Sequence, residues 1–360
     1  MITPSIYVSY DKLQKNISAM HERVMQNGCN IRPHIKTHKT SVIAQLQLEA
    51  GAVGITVAKV SEAEVMERAG IKDIFIAYPV VGRDKLIRVM RLNRKCRLIV
   101  GVDSMECAKS LSDIADGQSI EVRLEIDTGL KRTGVSPEKS LDVALEVSRL
   151  KNIRLTGIYT FKGLTYRGAF TPDSGLAAGE EAAIMADIKA KFNLAGLGII
   201  DVSIGSTPTA IPASGCTHIT EVRPGTYVFY DYMNVKLGVC TLDDCAAMIR
   251  TTVVSIPYDN LVVVDAGSKS ICPDIPLKTN PYQFESYGYV VQYPHLMLSR
   301  LSEEHGMLYV PENSDKPGIG EVISIIPNHI CPTINLYDYL FMEKDGEVKR
   351  IKIDARGMNY

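Results

Sequence analysis

Five basic or imidazole side chains crowd into ten residues, Ile31-Arg32-Pro33-His34-Ile35-Lys36-Thr37-His38-Lys39-Thr40. Extended backbone sends alternate side chains to opposite faces. Read as a strand, the segment sets Arg32, His34, Lys36 and His38 on one face and Ile31, Pro33, Ile35 and Thr37 on the other. Uncompensated cations are costly to bury, so such a row is expected to line a wet, functional interior. Crowding by cations and partial desolvation favour a neutral amine, which makes Lys36 a candidate nucleophile or proton carrier. The same residues would also suit a basic surface strand that binds phosphate or nucleic acid.

A second constellation lies far along the chain, in Pro327-Asn328-His329-Ile330-Cys331-Pro332-Thr333. In extended backbone, positions two apart point the same way, so His329 and Cys331 can hold one metal ion. An imidazole with a thiolate suits Zn²⁺ better than Mg²⁺ or Mn²⁺, and two local ligands leave the shell open to water or substrate. Between these ends lie polar, glycine-bearing segments. Ile126 to Gly134 includes Arg132, which could face inward; Ser203 to Thr209 includes Ser206 and Thr207; Arg223 to Tyr227 includes Gly225 and Thr226. Hydroxyls and unpaired backbone N–H groups of this kind suit a dianionic phosphate, although tight turns use the same residues.

The bulk numbers narrow the choices. The formal net charge of the 360 residues is -1, which argues against a nucleic-acid binder. Apolar residues make up 46% and charged residues 22%, a globular balance. No apolar run reaches membrane-spanning length, and the start at Met1-Ile2-Thr3-Pro4 is not signal-like. Eight cysteines without a CxxC pair read as reduced thiols of a cytoplasmic protein.

The elements that must position these residues follow a simple pattern. Asp11–Gln26 and Thr40–Ala50 have helical spacing. Ser61–Ala69 reads as a helix capped by Ser61, with Glu64 completing a capping box. Strands are expected at Gly54–Val57, Asp73–Tyr78, Arg97–Val102, Glu121–Ile126, Leu155–Tyr159 and Ile200–Ile204. Repeated strand–helix alternation is the signature of a parallel α/β fold, and the count suits a (β/α)₈ TIM barrel over residues 11–235. No G-x-G-x-x-G follows the first strand, which disfavours a dinucleotide-binding sheet. Residues 236–360 change texture, to strands with turn-rich connections at Cys245–Ile256, Leu261–Asp265, Gly288–Tyr293, Gly306–Val310, Glu321–Ile326 and Val348–Asp354. They read as a β-domain that the N-terminal strand, within residues 1–10, could join.

Taken together, the ordered segments resemble the D-threonine aldolase / D-serine dehydratase family of pyridoxal-phosphate enzymes, whose fold (type III) is like that of alanine racemase. The likeness runs from Thr3-Pro4 to Ala355-Arg356-Gly357. It is carried by Arg32–Lys39, Asp127-Thr128-Gly129, Gly205–Thr209, Arg223–Tyr227, Asp265–Lys269, Ser302–Gly306 and Pro327–Thr333. It implies pyridoxal phosphate held as a Schiff base by Lys36, phosphate contacts from Thr207, Gly225 and Thr226, and Tyr159 and Tyr166 near the cofactor. Phe161 stands where many dehydratase relatives have a histidine. The resemblance also implies a divalent metal on His329 and Cys331: Zn²⁺, with Mn²⁺ or Mg²⁺ as alternatives. Histidine with cysteine is the dehydratase pairing, whereas the aldolases more often use histidine with aspartate.

The implied activity is a lyase reaction on a D-3-hydroxy amino acid, foremost dehydration and deamination of D-serine to a 2-oxo acid and ammonia. Retro-aldol cleavage to glycine and an aldehyde is the alternative. A racemase, or a non-enzymatic pyridoxal-phosphate carrier, fits less well with a metal pair and a long β-domain. The expected partners are a small D-amino acid and a second copy of the chain in a homodimer, with no nucleic acid and no membrane.

Overall fold

The computed structural model describes residues 2–360, which divide into two compact units. One comprises Ser18–Lys36, Ser41–Gly225 and Met358–Tyr360; the other comprises the described residues up to Ile17, Thr37–Thr40 and Thr226–Gly357.

The first unit is a (β/α)₈ barrel. Its strands, in chain order, are Asn30–Ile31, Ile55–Val57, Asp73–Pro79, Arg97–Val102, Ile120–Glu125, Ile153–Tyr159, Asp201–Ile204 and Glu221–Val222. They form one parallel sheet in which the first strand pairs with the eighth, Asn30 opposite Glu221 and Ile31 opposite Val222. The cylinder closes where His34 bridges Thr56 and the Thr56 N–H donates to the Pro33 carbonyl at 2.8 Å. Runs such as Ile74-Phe75-Ile76 and Leu98-Ile99-Val100 are buried on both faces, as strands between a filled interior and an outer ring of helices must be.

The strand expected across Ile31–Thr40 stops after Ile31, and Ile35–Thr37 turn into a short 3₁₀ helix. The shared face of Arg32, His34, Lys36 and His38 therefore does not form. Arg32 is buried, Lys36 is exposed, and His38 and Lys39 are buried among the residues of the other unit. The helix expected from Ser61 starts at Val60. Glu62, not Glu64, accepts the N–H groups of Ala58 and Lys59, while Ser61 donates to the Tyr360 carbonyl and Glu64 pairs with Arg88.

Arg32 enters the core because it is compensated there. Its Nε donates to Glu221 Oε2 at 2.7 Å, and Arg123 of the fifth strand donates to Glu221 Oε1 at 2.6 Å. The fifth and eighth strands are not neighbours, so this contact crosses the barrel interior. Ser203 donates to the same carboxylate, Asp73 pairs with Arg32, and Asp201 pairs with Arg123. Burial alone would raise the Glu221 carboxyl. The guanidinium groups of Arg123 and Arg32 overcome that and hold it well below the usual glutamate range.

The second unit is built on a nine-stranded sheet. Six of its strands close a ring: Ala247–Tyr258, Leu261–Val264, Gly306–Tyr309, Met297–Leu301, Gly288–Val290 and Val322–Pro327. The ring encloses a core that includes Val262, Val264, Leu298, Leu308 and Ile325. Ser5–Ser9 joins this sheet, antiparallel to Ala247–Tyr258 and parallel to Tyr339–Lys344, with Glu347–Lys352 at the edge. The strands Met297–Leu301 and Tyr339–Lys344 lie outside those expected from the sequence.

Removing the charge of Glu221 leaves two buried guanidinium groups short of a counter-ion. Glu221→Gln is expected to destabilise the barrel by about 3–5 kcal/mol, read from denaturant unfolding. Because the folded carboxyl titrates below its unfolded value, its stabilisation is present above the unfolded pKa and is lost as pH falls toward the folded one. The acid limb of the stability profile should flatten in the variant.

Candidate active site

The ends of the barrel strands gather the residues with chemistry. Lys36 is the middle residue of the 3₁₀ turn after the first strand, and its backbone N–H donates to His34 Nδ1 at 3.4 Å. Its Nζ lies 5.6 Å from the centroid of the Phe161 ring, and the Arg132 guanidinium lies 5.1 Å from the same centroid. Two cations thus approach one aromatic ring at the barrel mouth, which favours an anionic ligand near them.

The loops after the seventh and eighth strands form a small cradle. Gly205 has φ +84°, a conformation that suits glycine, and it packs at ordinary contact distance from Ala210 and Val222. The Ser206 N–H donates to Thr209 Oγ1 at 2.8 Å, and the Gly225 N–H donates to Thr207 Oγ1 at 3.2 Å. The N–H groups of Ser206 and Gly225, expected to be unpaired, are thus engaged by the loops' own hydroxyls, which a bound phosphate would have to replace. Small residues, hydroxyls and main-chain N–H groups remain the donor chemistry that fits a phosphate. Thr226 is the next residue in the chain and opens the 3₁₀ turn Thr226–Val228.

The two tyrosines part company. Tyr166 sits on the hairpin Thr165–Tyr166/Ala169–Phe170, its ring 5.2 Å from the Arg167 guanidinium. Tyr159 is buried in the barrel, edge-on to Phe75, and donates to Glu125 Oε2 at 3.0 Å. Glu125 also accepts from Thr133 at 2.9 Å, and burial raises its carboxyl above the ordinary range. Thr133 lines a cavity of about 310 Å³, with Lys59, Tyr78, Lys85 and Asp103, over the ends of the second to fifth strands. Lys36 and the phosphate-type loops follow the first, seventh and eighth strands, so this cavity is separate from the cradle.

In the other unit, His329 and Cys331 sit at the start of the short helix Ile330–Ile334. His329 is extended, with φ −134° and ψ 110°, but Cys331 is already helical. Both side chains still meet, so the pairing comes from a strand-to-helix corner and not from the extended run expected. Three groups hold the corner. Asp231 Oδ2 accepts the N–H of Ile330, the residue between the pair, at 3.1 Å, and the Thr37 hydroxyl lies 3.2 Å from Cys331 Sγ. Asp274 Oδ2 lies 2.6 Å from His329 Nδ1.

Burial works against a charged His329, but hydrogen bonds to Asp274 and Cys331 overcome it and raise its pKa to about 11. The Cys272 thiol, near Asp274, is pushed up by burial and by that carboxylate. Imidazole and sulfur side by side form a donor set that fits a borderline-soft divalent metal, although among the described residues no group of three or more His, Cys, Asp or Glu side chains could hold one. Further ligands would come from water or substrate.

Asp274 and Asp231 are the residues that sequence reasoning missed. Each lies more than fifty positions from the histidine, and an isolated aspartate in a turn-rich stretch signals only turn or cap chemistry.

Gly101 shows how tightly Tyr159 is held. A Cβ there would run into Tyr159 Oη and stand 3.1 Å from the Tyr78 nitrogen. Gly101→Ala should cost about 1–3 kcal/mol in unfolding free energy, and adding Tyr159→Phe should recover part of that loss.

The comparisons with known proteins follow the same division of the chain. Residues 8–233 match the family described as alanine racemase, N-terminal domain, and residues 246–342 match a putative serine dehydratase domain. D-threo-3-hydroxyaspartate dehydratase from Delftia sp. is 33% identical, over 96% of each chain. D-serine dehydratase from Dictyostelium discoideum is 32% identical, over 96% of this chain and 94% of its own. Among solved structures, D-threonine aldolase from Filomicrobium marinum superposes with TM-score 0.89 at 30% identity, covering 100% of this chain and 96% of its own. A cysteine-to-alanine mutant of D-threo-3-hydroxyaspartate dehydratase, in the metal-free form, gives TM-score 0.89 at 32% identity, covering 98% and 97%. With an alanine racemase-type barrel, a serine dehydratase-type β unit and relatives above 30% identity along nearly its whole length, the chain belongs to the D-serine dehydratase / D-threonine aldolase family.

Proposed function

We propose that this protein is a pyridoxal-phosphate- and divalent-metal-dependent lyase that converts D-serine, or a similar D-3-hydroxy amino acid, to a 2-oxo acid and ammonia. The observation that carries this reading is the His329–Cys331 pair beside Thr37, the residue directly after Lys36. The named relatives support the substrate class, since serine, threonine and 3-hydroxyaspartate share a hydroxyl on Cβ.

Bound pyridoxal phosphate would supply an electron sink for bond breaking at Cα, and a bound divalent cation a Lewis acid for the β-hydroxyl. Lys36 Nζ, exposed at the barrel mouth, is the anchor for the cofactor and the base that takes the α-proton. Ser206, Thr207, Gly225 and Thr226 offer hydroxyls and N–H groups to the phosphate. Arg132 adds positive charge beside Phe161, favouring an anionic oxygen near that ring. His329 and Cys331 hold the metal. The α-proton goes to Lys36, the β-hydroxyl leaves as water, and hydrolysis of the resulting unsaturated amine consumes one water and frees ammonia.

Thiolate and imidazole favour Zn²⁺ over the harder Mn²⁺ and Mg²⁺, and so favour Lewis-acid activation of a leaving hydroxyl. The reading extends to a cytoplasmic protein, for which eight free cysteines are the expected pattern, and to a homodimer by likeness to the family.

Incubation with D-serine, D-threonine and D-threo-3-hydroxyaspartate should yield 2-oxo acid and ammonia in equal amounts. Glycine with an aldehyde would show carbon–carbon cleavage instead. Stripping the metal with a strong chelator should abolish turnover and Zn²⁺ should restore it; unchanged turnover after stripping would remove the role given to His329 and Cys331.

A further inference from the structure

A metal ligand needs its imidazole turned the right way, and here a distant loop does the turning. Asp274 lies in the connection between the strands Leu261–Val264 and Gly288–Val290. Its Oδ2 stands 2.6 Å from His329 Nδ1, a short, charge-assisted contact. With Nδ1 committed to the carboxylate, Nε2 is the nitrogen left to offer a lone pair to a metal once the metal displaces its proton.

The loop is pinned to the same helical turn that carries the pair. The Cys272 N–H donates to Thr333 Oγ1 at 3.3 Å, and that hydroxyl donates to the His329 carbonyl at 2.9 Å. Tyr337 Oη donates to the Ser270 carbonyl at 2.9 Å. Two hydroxyls from one stretch of chain thus fix the loop two and four residues before Asp274. Among the described residues Asp274, His329 and Cys331 form no three-ligand group, and the observed contact of the Asp274 carboxylate is with the histidine ring nitrogen.

We propose that Asp274 is the positioning residue of the metal site: it holds the proton on His329 Nδ1 and aims Nε2 at the cation. This rests on the reading of His329 and Cys331 as metal ligands. Carboxylate–imidazole support of this kind typically governs metal affinity by about one to two orders of magnitude.

The test measures metal affinity and not turnover. Metal-stripped protein is titrated with Zn²⁺ in competition with a chromophoric chelator. Asp274→Ala should weaken Zn²⁺ binding roughly 10–100-fold, and Asp274→Glu should recover part of the loss, with circular dichroism of both stripped variants like that of the parent. Wild-type affinity in Asp274→Ala would overturn the proposal while leaving the metal reading intact. No Zn²⁺ uptake by the parent protein would overturn both. Should the alanine variant fail to fold, ¹⁵N spectra of the histidine-labelled parent with Zn²⁺ decide: a proton on Nδ1 with metal on Nε2 is expected, and the reverse overturns the assignment.

Discussion

The barrel depends on one buried carboxylate. Its first and eighth strands share a ladder of only two residue pairs, and its first and second meet through a single bridge. Main-chain hydrogen bonds extend the seam, from Asn30, Arg32 and His34 to the carbonyls of Thr220, Val222 and Pro224 and from Val53 and Thr56 to those of Ile31 and Pro33. Glu221 adds a side-chain tie by binding Arg32 from one side and Arg123 from across the interior. Buried ion networks of this kind add little net stability over an apolar core, but they penalise any arrangement that leaves a charge unpaired. The first strand is thereby fixed in register, and Lys36 follows Arg32 by four residues. The site's position is set by charge pairing beneath it.

The same logic recurs in the β-rich unit. A buried aspartate at the N-terminus of the helix Tyr232–Lys236 grips the backbone at Ile330, and a second aspartate holds the Nδ1 side of His329. Neither carboxylate is needed to form the sheet. Both hold the corner at which extended chain becomes helix, and a corner brings residues two apart onto one side as well as a strand would. The unit places polar groups around the His329–Cys331 pair and keeps its ring of strands apolar inside.

Much of the fold is legible in the sequence because parallel barrel strands are short apolar runs separated by amphipathic helices, and Asp73–Pro79, Arg97–Val102 and Ile153–Tyr159 show that pattern plainly. Several strands escape it, among them the two-residue Glu221–Val222 of the barrel and two strands of the β-rich unit. Met297–Leu301 carries a register shift between Leu298 and Arg300, which breaks the alternation that marks a strand. Tyr339–Lys344 pairs with Glu347–Lys352 across Asp345-Gly346, both at positive φ, and that dipeptide is the hairpin signal the sequence offers. The cationic decapeptide is unusual, as its composition suggests, but it is not one continuous strand. Period-two reasoning assumes that extended backbone persists, and here strand-type pairing ends at His34, where Ile35–Thr37 turn into 3₁₀ helix. The aspartates behind His329 are illegible for another reason: their roles arise only from tertiary contact across long stretches of chain.

We propose that Lys36, and no other lysine, carries the cofactor. Lys39 and Lys162 are the rivals in sequence and in chemistry; Lys39 is buried with its carbonyl bonded to Ala355, and Lys162 is buried in a pair with Glu180. Borohydride reduction of protein loaded with pyridoxal phosphate, followed by peptide mapping, tests this directly. A pyridoxyl group on Lys36 is the predicted result; a label on Lys39 or Lys162, or no label at all, would contradict the account.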